Sequence, residues 1–415
     1  MINEAGETMR PDLRFPEFEY EWVQKKIDNL TTKIGSGKTP KGGSANYLSE
    51  GIPFFRSQNI QNGYLNLNDL VYIDSEIDES MKNSKSYFGD ILLNITGASI
   101  GRSAINTLSK THINMNQHVC IIRLKKEFSF NFLGQFLLSP QGQKKIFKAQ
   151  SGGSREGLNF KEIGSIKVNI PKNFDEQEKI GDFFSKLDRQ IELEEQKLEK
   201  LEEQKKGYMQ KIFSKELRFK DENGNNYPEW EDKKLLNVIA IQNGYAFKSN
   251  LFSEKGMPII RITDINKSTV KKGTVYYPES IEINERFKIK QYDILIAMSG
   301  ATTGKVGKYI SEKPSLLNQR IGKFVMKKGT DNNFMFTYLN SLYFKKELSK
   351  LLVAGAQPNI SSQDIENINL FIPINEEQRK IGEFFNELDG LIEKQSSKIG
   401  VLKQRKKGFL QKMFV

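Results

Sequence analysis

Two stretches of the chain place an apolar residue at alternating steps of four and three. The first, residues 175–213, contains no proline and carries Ile180, Phe184, Leu187, Ile191, Leu198, Leu201, Tyr208 and Ile212 on that spacing, with Glu194 and Lys205 filling the remaining seam positions. The second repeats it at Ile381, Phe385, Leu388, Ile392, Ile399, Leu402, Phe409 and Met413, and turns polar at the matching places, Gln395 and Lys406. A four-three alternation is the seam of a coiled coil, and polar residues inside such a seam fix register and partner. The two stretches are also complementary in charge: 11 acids face 8 bases in residues 175–213, and 6 acids face 9 bases in residues 376–415. The pattern predicts two long helices paired with each other, rather than two surface helices each packed on its own domain.

The tails belong to a longer internal repeat. Ile180-Gly181-Asp182-Phe183-Phe184 through Leu187-Asp188 returns 201 residues later as Ile381-Gly382-Glu383-Phe384-Phe385 through Leu388-Asp389. Lys205-Lys206-Gly207 through Phe213 returns at the same offset as Lys406-Lys407-Gly408 through Phe414. Upstream the echo is fainter: Asp90-Ile91-Leu92 with Gly97 and Gly101 matches Asp293-Ile294-Leu295 with Gly300 and Gly304, and Asn116-Gln117 matches Asn318-Gln319. The chain divides on this basis into an extension (1–13), a globular domain (14–171), a helix (172–215), a second globular domain (216–373) and a second helix (374–415). The globular parts read as α+β (mixed α/β). Ile91–Ile95 and Ile294–Met298 are short apolar runs ending at glycine turns, Val119–Leu124 and Ile321–Met326 are further strands, and Phe130–Leu138 and Phe334–Leu342 carry helical spacing. Ile163, Ile166, Val168 and Ile170, like Ile365, Ile368, Leu370 and Ile372, read as a strand handing over to each long helix.

Composition narrows the chemistry. No apolar run approaches the roughly 18 residues of a membrane helix, and residues 1–10 carry Glu4 and Glu7 without an apolar centre, so the protein is expected in the cytoplasm, off the membrane. Cys120 stands alone beside only His112 and His118, which predicts neither a disulfide nor a structural metal. Gly37-Lys38-Thr39 lacks the upstream glycine of a phosphate-binding loop, and Pro40 opposes its helix. No GxGxxG loop and no adjacent proline pair occur, so no catalytic residue is assigned. The net charge of +12 favours a polyanion partner.

What remains is a set of polar loops recurring in both halves. The candidate DNA contacts in the first are Lys38, Thr39, Arg56, Gln58, Asn59, Asn94, Thr96, Ser99, Arg102, Gln117, Ser154 and Arg155. In the second they are Tyr245, Arg261, Thr263, Ser299, Thr302, Thr303, Lys305, Gln319, Arg320, Gln357 and Asn359. Side chains of these types reach phosphates and base edges, Arg suiting guanine and Asn or Gln suiting adenine. Matched sites with different side chains suggest one scaffold with two specificities.

The chain resembles the specificity subunit of a type I DNA restriction-modification enzyme. The resemblance is carried by Glu176-Gln177 and Glu377-Gln378, the Ile-Gly-x-Phe-Phe-x-x-Leu-Asp runs, the Lys-Lys-Gly ends, and Gly35-Ser36-Gly37-Lys38-Thr39-Pro40, which has no clear equivalent at Gln242-Asn243-Gly244-Tyr245. It implies two target-recognition domains, each reading one half of an asymmetric bipartite site in double-stranded DNA, held apart by an antiparallel coiled coil with pseudo-twofold symmetry. It also implies partners: two adenine-N6 methyltransferase subunits using S-adenosylmethionine, and two restriction subunits that translocate and cleave DNA using ATP and Mg2+. No cofactor is expected on this chain. A helix of about 39 residues spans roughly 58 Å, or about 17 base pairs, so inserting a heptad in both helices should lengthen the spacer. A stand-alone methyltransferase or nuclease with unrecognised motifs, and a repeat adaptor binding only protein, remain as alternatives.

Overall fold

The computed structural model describes residues 10–150, 157–266, 268–353 and 359–415. The candidates Ser154, Arg155 and Gln357 lie outside the described residues. The chain forms two compact units, one from residues up to 196 together with 396–415, the other from residues 197–395. Each unit therefore combines a globular domain with parts of both long helices.

In the first unit, β2 (Thr31–Ser36), β8 (Val119–Leu124), β5 (Ile91–Asn94) and β6 (Ser103–Ile105) form an antiparallel sheet in that order. A second sheet sets β3 (Ile52–Phe55) between antiparallel β4 (Val71–Ile73) and parallel β7 (Asn114–Met115), while β1 (Trp22–Lys26) pairs with β9 (Lys167–Pro171). β5 is buried throughout because it separates two cores. Ile91 and Leu93 pack with Phe132, Leu133 and Phe136, whereas Leu92 packs with Phe55, Met115, Val119 and Ile121. A strand covered on both faces needs no polar alternation, which accounts for its unbroken apolar run. The helices are α1 (Ile27–Leu30), α2 (Ser75–Ser80), α3 (Phe130–Leu138), α4 (Pro140–Gln150) and α5 (Phe160–Ser165). Ser129 caps α3 by accepting from the Phe132 N–H, and Pro140 opens α4, where its missing N–H costs nothing.

The second unit repeats this plan. Its larger sheet runs β11 (Ile239–Asn243), β20 (Ile321–Met326), β17 (Ile294–Ala297), β18 (Val306–Tyr309), extended by β14 (Thr269–Val270) and β13 (Ile265–Asn266). Its smaller sheet runs β15 (Val275–Tyr277), β12 (Met257–Ile260), β19 (Ser315–Leu317) and β16 (Lys288–Ile289), and β10 (Glu231–Lys234) pairs with β21 (Asn369–Ile372). β17 again divides two cores, Ile294 and Ile296 on one side, Leu295 and Ala297 on the other. The helices are α7 (Leu235–Val238), α8 (Asn332–Asn340), α9 (Leu342–Val353) and α10 (Ser362–Glu366).

The long helices are α6 (Phe174–Phe213) and α11 (Asn375–Met413). Within the first unit the start of α6 runs antiparallel to the end of α11: Lys406 Nζ lies 2.5 Å from Asp188, Lys403 Nζ 2.6 Å from Glu195, and Lys398 Nζ 2.7 Å from Glu194. Within the second unit the end of α6 meets the start of α11, with Lys205 Nζ 2.5 Å from Asp389. The polar seam residues Glu194, Lys205 and Lys406 thus each face an opposite charge. Of the seam positions, Ile180, Phe184, Ile191, Ile212, Ile381, Phe385, Ile399, Leu402 and Met413 are buried, and Leu187, Leu198, Leu201, Leu388, Ile392 and Phe409 are half-buried.

The motifs that carry the resemblance anchor these helices. Glu176, 1% exposed, accepts two hydrogen bonds from Arg14, Nε at 2.7 Å and Nη2 at 2.8 Å, and one from Trp22 Nε1 at 3.1 Å. Glu377, 0% exposed, does the same with Arg218 at 3.2 and 2.8 Å and Trp230 at 3.1 Å. The neighbouring glutamines tie each helix to the domain before it. Gln177 accepts from the Ser129 N–H and donates to the Pro171 carbonyl, as Gln378 accepts from Asp331 N–H and donates to Pro373. Gly181 and Gly382 lie so close to the starts of α3 and α8 that a Cβ would fall 2.5 Å from Asn131 and 2.6 Å from Asp331.

Four readings change. Tyr208 is 39% exposed and meets Phe384 of α11 in an edge-on ring contact at 5.2 Å, while Met209 packs against the core. Near its end α6 is covered by its own unit's globular domain as well as by α11, so Phe213 packs on Trp230, Phe334 and Tyr338, as Phe414 packs on Phe132, Phe136 and, in α6, Phe184. Ile163 and Ile365 sit in the short helices α5 and α10, capped by Asn159 and Ser361, and the strands start only after Ile166 and Ile368, at Lys167 and Asn369. Leu342 does not close α8 but opens α9, because Ser341 leaves the helical region between them. Finally, Gly244 does match Gly37: a Cβ on either would lie about 2 Å from a backbone oxygen, of Asn318 or Met115.

Candidate nucleic-acid interface

In each unit the polar loops follow strands that end on the same side, and backbone hydrogen bonds tie them into one frame. In the first unit, Lys38 N–H donates to Met115 O at 2.8 Å and Asn116 N–H to Phe55 O at 3.0 Å, joining the loops after β2, β3 and β7. The hairpin from β5 to β6 closes through Asn94 N–H to Arg102 O, Gly101 N–H to Asn94 O and Arg102 N–H to Ser99 O. In the second unit the same three bonds run from Ala297 to Lys305, from Gly304 to Ala297 and from Lys305 to Thr302. Tyr245 N–H donates to Leu317 O at 2.8 Å, as Lys38 does to Met115. Two unlike sequences build one frame because its bonds are backbone bonds, and glycines at φ 85° and 84° (Gly101, Gly304) let both hairpins turn alike.

The frame sorts the candidates. Lys38, Gln58 and Gln117 in the first unit, and Tyr245, Thr263, Lys305, Gln319, Arg320 and Asn359 in the second, are exposed. Thr39, Thr96, Ser99, Arg102, Ser299, Thr302 and Thr303 are half-buried. Thr39 donates to Gln117 and Thr302 to the Ile262 carbonyl at 3.4 Å, holding neighbouring loops together, while Thr303 donates to the Gly300 carbonyl of its own turn at 2.6 Å. Arg56 donates to the Asp69 carbonyl at 2.8 Å and lies 5.6 Å above the Tyr47 ring, and Arg261 reaches Thr274 at 3.4 Å, so both guanidinium groups are engaged by their own domain.

Two candidates are corrected. Asn59 and Asn94 are 0% exposed. Asn59 caps the turn after β3, accepting from Arg56 N–H at 3.0 Å and donating to Asn66 O, the place Asp264 takes opposite Arg261 N–H at 2.8 Å. Asn94 donates to Ser57 O at 2.9 Å, bridging the loops after β5 and β3. Both are polar because backbone groups in tight loops need partners; they shape the loops from inside.

One residue was passed over. His118 follows Asn116-Gln117 in the first frame, and its Nδ1 lies 2.7 Å from Thr96 Oγ1. Its counterpart is Arg320, after Asn318-Gln319, so extending the repeat by one residue would have found it. Cys120 lies nearby on β8, but burial pushes its thiol up to about 12, which removes it as a nucleophile. Among the described residues no group of His, Cys, Asp and Glu is arranged to hold a metal, and no helix is long and apolar enough to cross a membrane.

Two copies of one loop frame, differing in the side chains they display, define a protein that reads with two unlike surfaces. The chain belongs to the type I restriction-modification DNA specificity family, whose domain model matches residues 19–203 and again 227–403. It is 30% identical to the type I restriction enzyme MjaVIII specificity subunit of Methanocaldococcus jannaschii, over 95% of this chain and 92% of that one. It is 24% identical to the EcoKI specificity subunit of Escherichia coli, over 87% and 80%. In fold it is similar to the crystal structure of a type I restriction-modification S subunit from M. genitalium, with TM-score 0.65 and 18% identity over 98% and 99% of the two chains. The part of this family in a restriction enzyme is recognition, not catalysis.

Proposed function

We propose that this chain selects an asymmetric bipartite target in double-stranded DNA, one half-site per globular domain, for adenine-N6 methylation or cleavage by partner subunits. The observation that carries the reading is the repeated loop frame: equal backbone positions display Lys38 against Tyr245 and Arg102 against Lys305. One frame with different donors and acceptors reads two different half-sites, since sequence is discriminated by side chains at base edges. The lysines and arginines of the globular parts supply the sequence-independent attraction to phosphates. We assign the chain two methyltransferase subunits and, in the restricting complex, two restriction subunits, and place S-adenosylmethionine, ATP and Mg2+ on those chains. The assembly acts in the cytoplasm.

The experiment is a genome-wide map of N6-methyladenine in source cells with and without the gene, followed by a chimera in which residues 14–171 and 216–373 are exchanged. Loss of one bipartite motif on deletion, and its return with half-sites exchanged in the chimera, is expected. A chimera that keeps the original motif, or a map with no motif lost while the methyltransferase is expressed, overturns the proposal.

A further inference from the structure

The tripeptides Asn116-Gln117-His118 and Asn318-Gln319-Arg320 occupy the same place in the two frames and are held by the same bonds. Asn116 Oδ1 accepts from the His118 N–H at 3.2 Å, and Asn318 Oδ1 from the Arg320 N–H at 3.3 Å. The carbonyls are fixed as well: His118 O accepts from Ile95 N–H at 3.0 Å, and Arg320 O from Met298 N–H at 2.9 Å. The donors Ile95 and Met298 directly follow the fully buried strands β5 and β17, so this position is anchored to a buried element of each domain. Only the side chain differs, imidazole in one and guanidinium in the other.

The surroundings of the two side chains fit a reading role. His118 is half-buried and its ring is oriented by Thr96, whose backbone is in turn bridged to Gly157. We take the Thr96 hydroxyl as the donor to Nδ1, the tautomer in which the ring carries its N–H on Nε2. Among the described residues Nε2 has no hydrogen-bond partner. In the second unit the hydroxyl at the matching place, Ser299 Oγ, is buried without a partner among the described residues, and Arg320 is exposed instead of being tied to it. An oriented ring with one unused donor, and a free-standing fork of donors at the same anchored position, are both equipped to meet acceptors such as purine N7, guanine O6 or thymine O4.

Resting on the two-half-site reading above, we infer that His118 and Arg320 are matched specificity-determining residues, each donating to an acceptor on a base edge of its own half-site, with Thr96 as the positioning residue for His118.

The test uses the chain assembled with its methyltransferase partner and S-adenosylmethionine, and reads methylation across a library in which every base of the wild-type motif is varied in turn. Replacing His118 by alanine should reduce discrimination at one position of one half-site by roughly tenfold or more, leaving the other half-site unchanged. R320A should do the same in the other half-site alone. T96V should blur the position that H118A blurs, with no further loss in the double variant, which a merely structural role would not produce. Wild-type preferences at every position in both H118A and R320A overturn the inference while leaving the bipartite function standing. If H118A and H118Q both abolish methylation and lower the unfolding midpoint of the first unit, the residue is structural and the inference fails. If the wild-type complex methylates no bipartite motif, the proposed function fails first.

Discussion

Replacing Arg14 with methionine should destabilise the first unit by about 3–5 kcal/mol, the range expected when one partner of a buried ion pair is removed. The structure supplies the terms. The side chains of Arg14 and Glu176 are 5% and 1% exposed, and two short hydrogen bonds join them. The Glu176 hydrogen bond first, and its charge with it, keep Arg14 protonated beyond its already high ordinary range, against the opposing effect of burial. Without the guanidinium, the Trp22 indole N–H is the hydrogen-bond partner left to the Glu176 carboxylate among the described residues. Methionine at both positions should cost much less than the single change, because it leaves no stranded charge. The protein contains two tryptophans, Trp22 in one clamp and Trp230 in the other, so each reports on its own unit. Fluorescence-monitored thermal unfolding in a W230F background should show the first unit's midpoint fall by about 6–20 °C. R218M in a W22F background should do the same for the second. A loss under about 1 kcal/mol in both would refute the assignment of these glutamates as buried, paired anchors.

Three further predictions follow from equally local features. G181A should destabilise by about 1–3 kcal/mol because its Cβ overlaps Asn131, whereas G207A, with nothing within 4 Å, should stabilise by up to about 1 kcal/mol; equal signs in thermal melts would contradict this. Burial alone would push the Asp78 carboxyl up, but hydrogen bonds from Lys85, His112 and Asn114 together hold it below the ordinary aspartate value of 3.8. Its contribution is complete above that value and lost as pH falls through the lower folded one, so D78N should flatten the acid limb of the first unit's stability curve, and an unaltered limb argues against it. K406A should cost about 1 kcal/mol in urea unfolding, since the lysine side chain is 13% exposed against Asp188, while K403A, 57% exposed against Glu195, should cost under about 0.5 kcal/mol; the reverse order would refute the ranking.

The long helices and their pairing with each other were legible because a seam is a periodic signal, repeated along each helix and again in its partner; the antiparallel sense came from the family resemblance, since a seam reads the same in either direction. The buried strands were legible for the same reason, as runs without polar alternation. What escaped depends on distant partners. Glu176 reads as one more acid at the start of an acidic helix, and its partner Arg14 is 162 residues away. Tyr208 obeys the seam spacing and meets Phe384 of α11, yet how much of its ring stays in water depends on neighbours that the spacing does not name. Asn59 and Asn94 have the composition of contact residues, but amides that cap a loop from within and amides that face a ligand look alike in a sequence. His118 was missed for a different reason: the match to the second half was followed as far as identical residues went, and it changes at the residue that matters.

The core of the first unit contains Leu410, Met413 and Phe414, with Phe414 set against Phe132, Phe136 and Phe184. During synthesis those rings leave the ribosome some 230 residues after Phe184, a delay of roughly 10–45 s at ordinary elongation rates. Throughout that interval the domain made first has an open wall. The domain made second waits only for Ile381 and Phe385, shortly past its own end, because Ile212 and Phe213 precede it in the chain. The order of completion is therefore the reverse of the order of translation, and a ribosome that stops a few codons short of Leu410 harms the oldest part of the molecule rather than the newest.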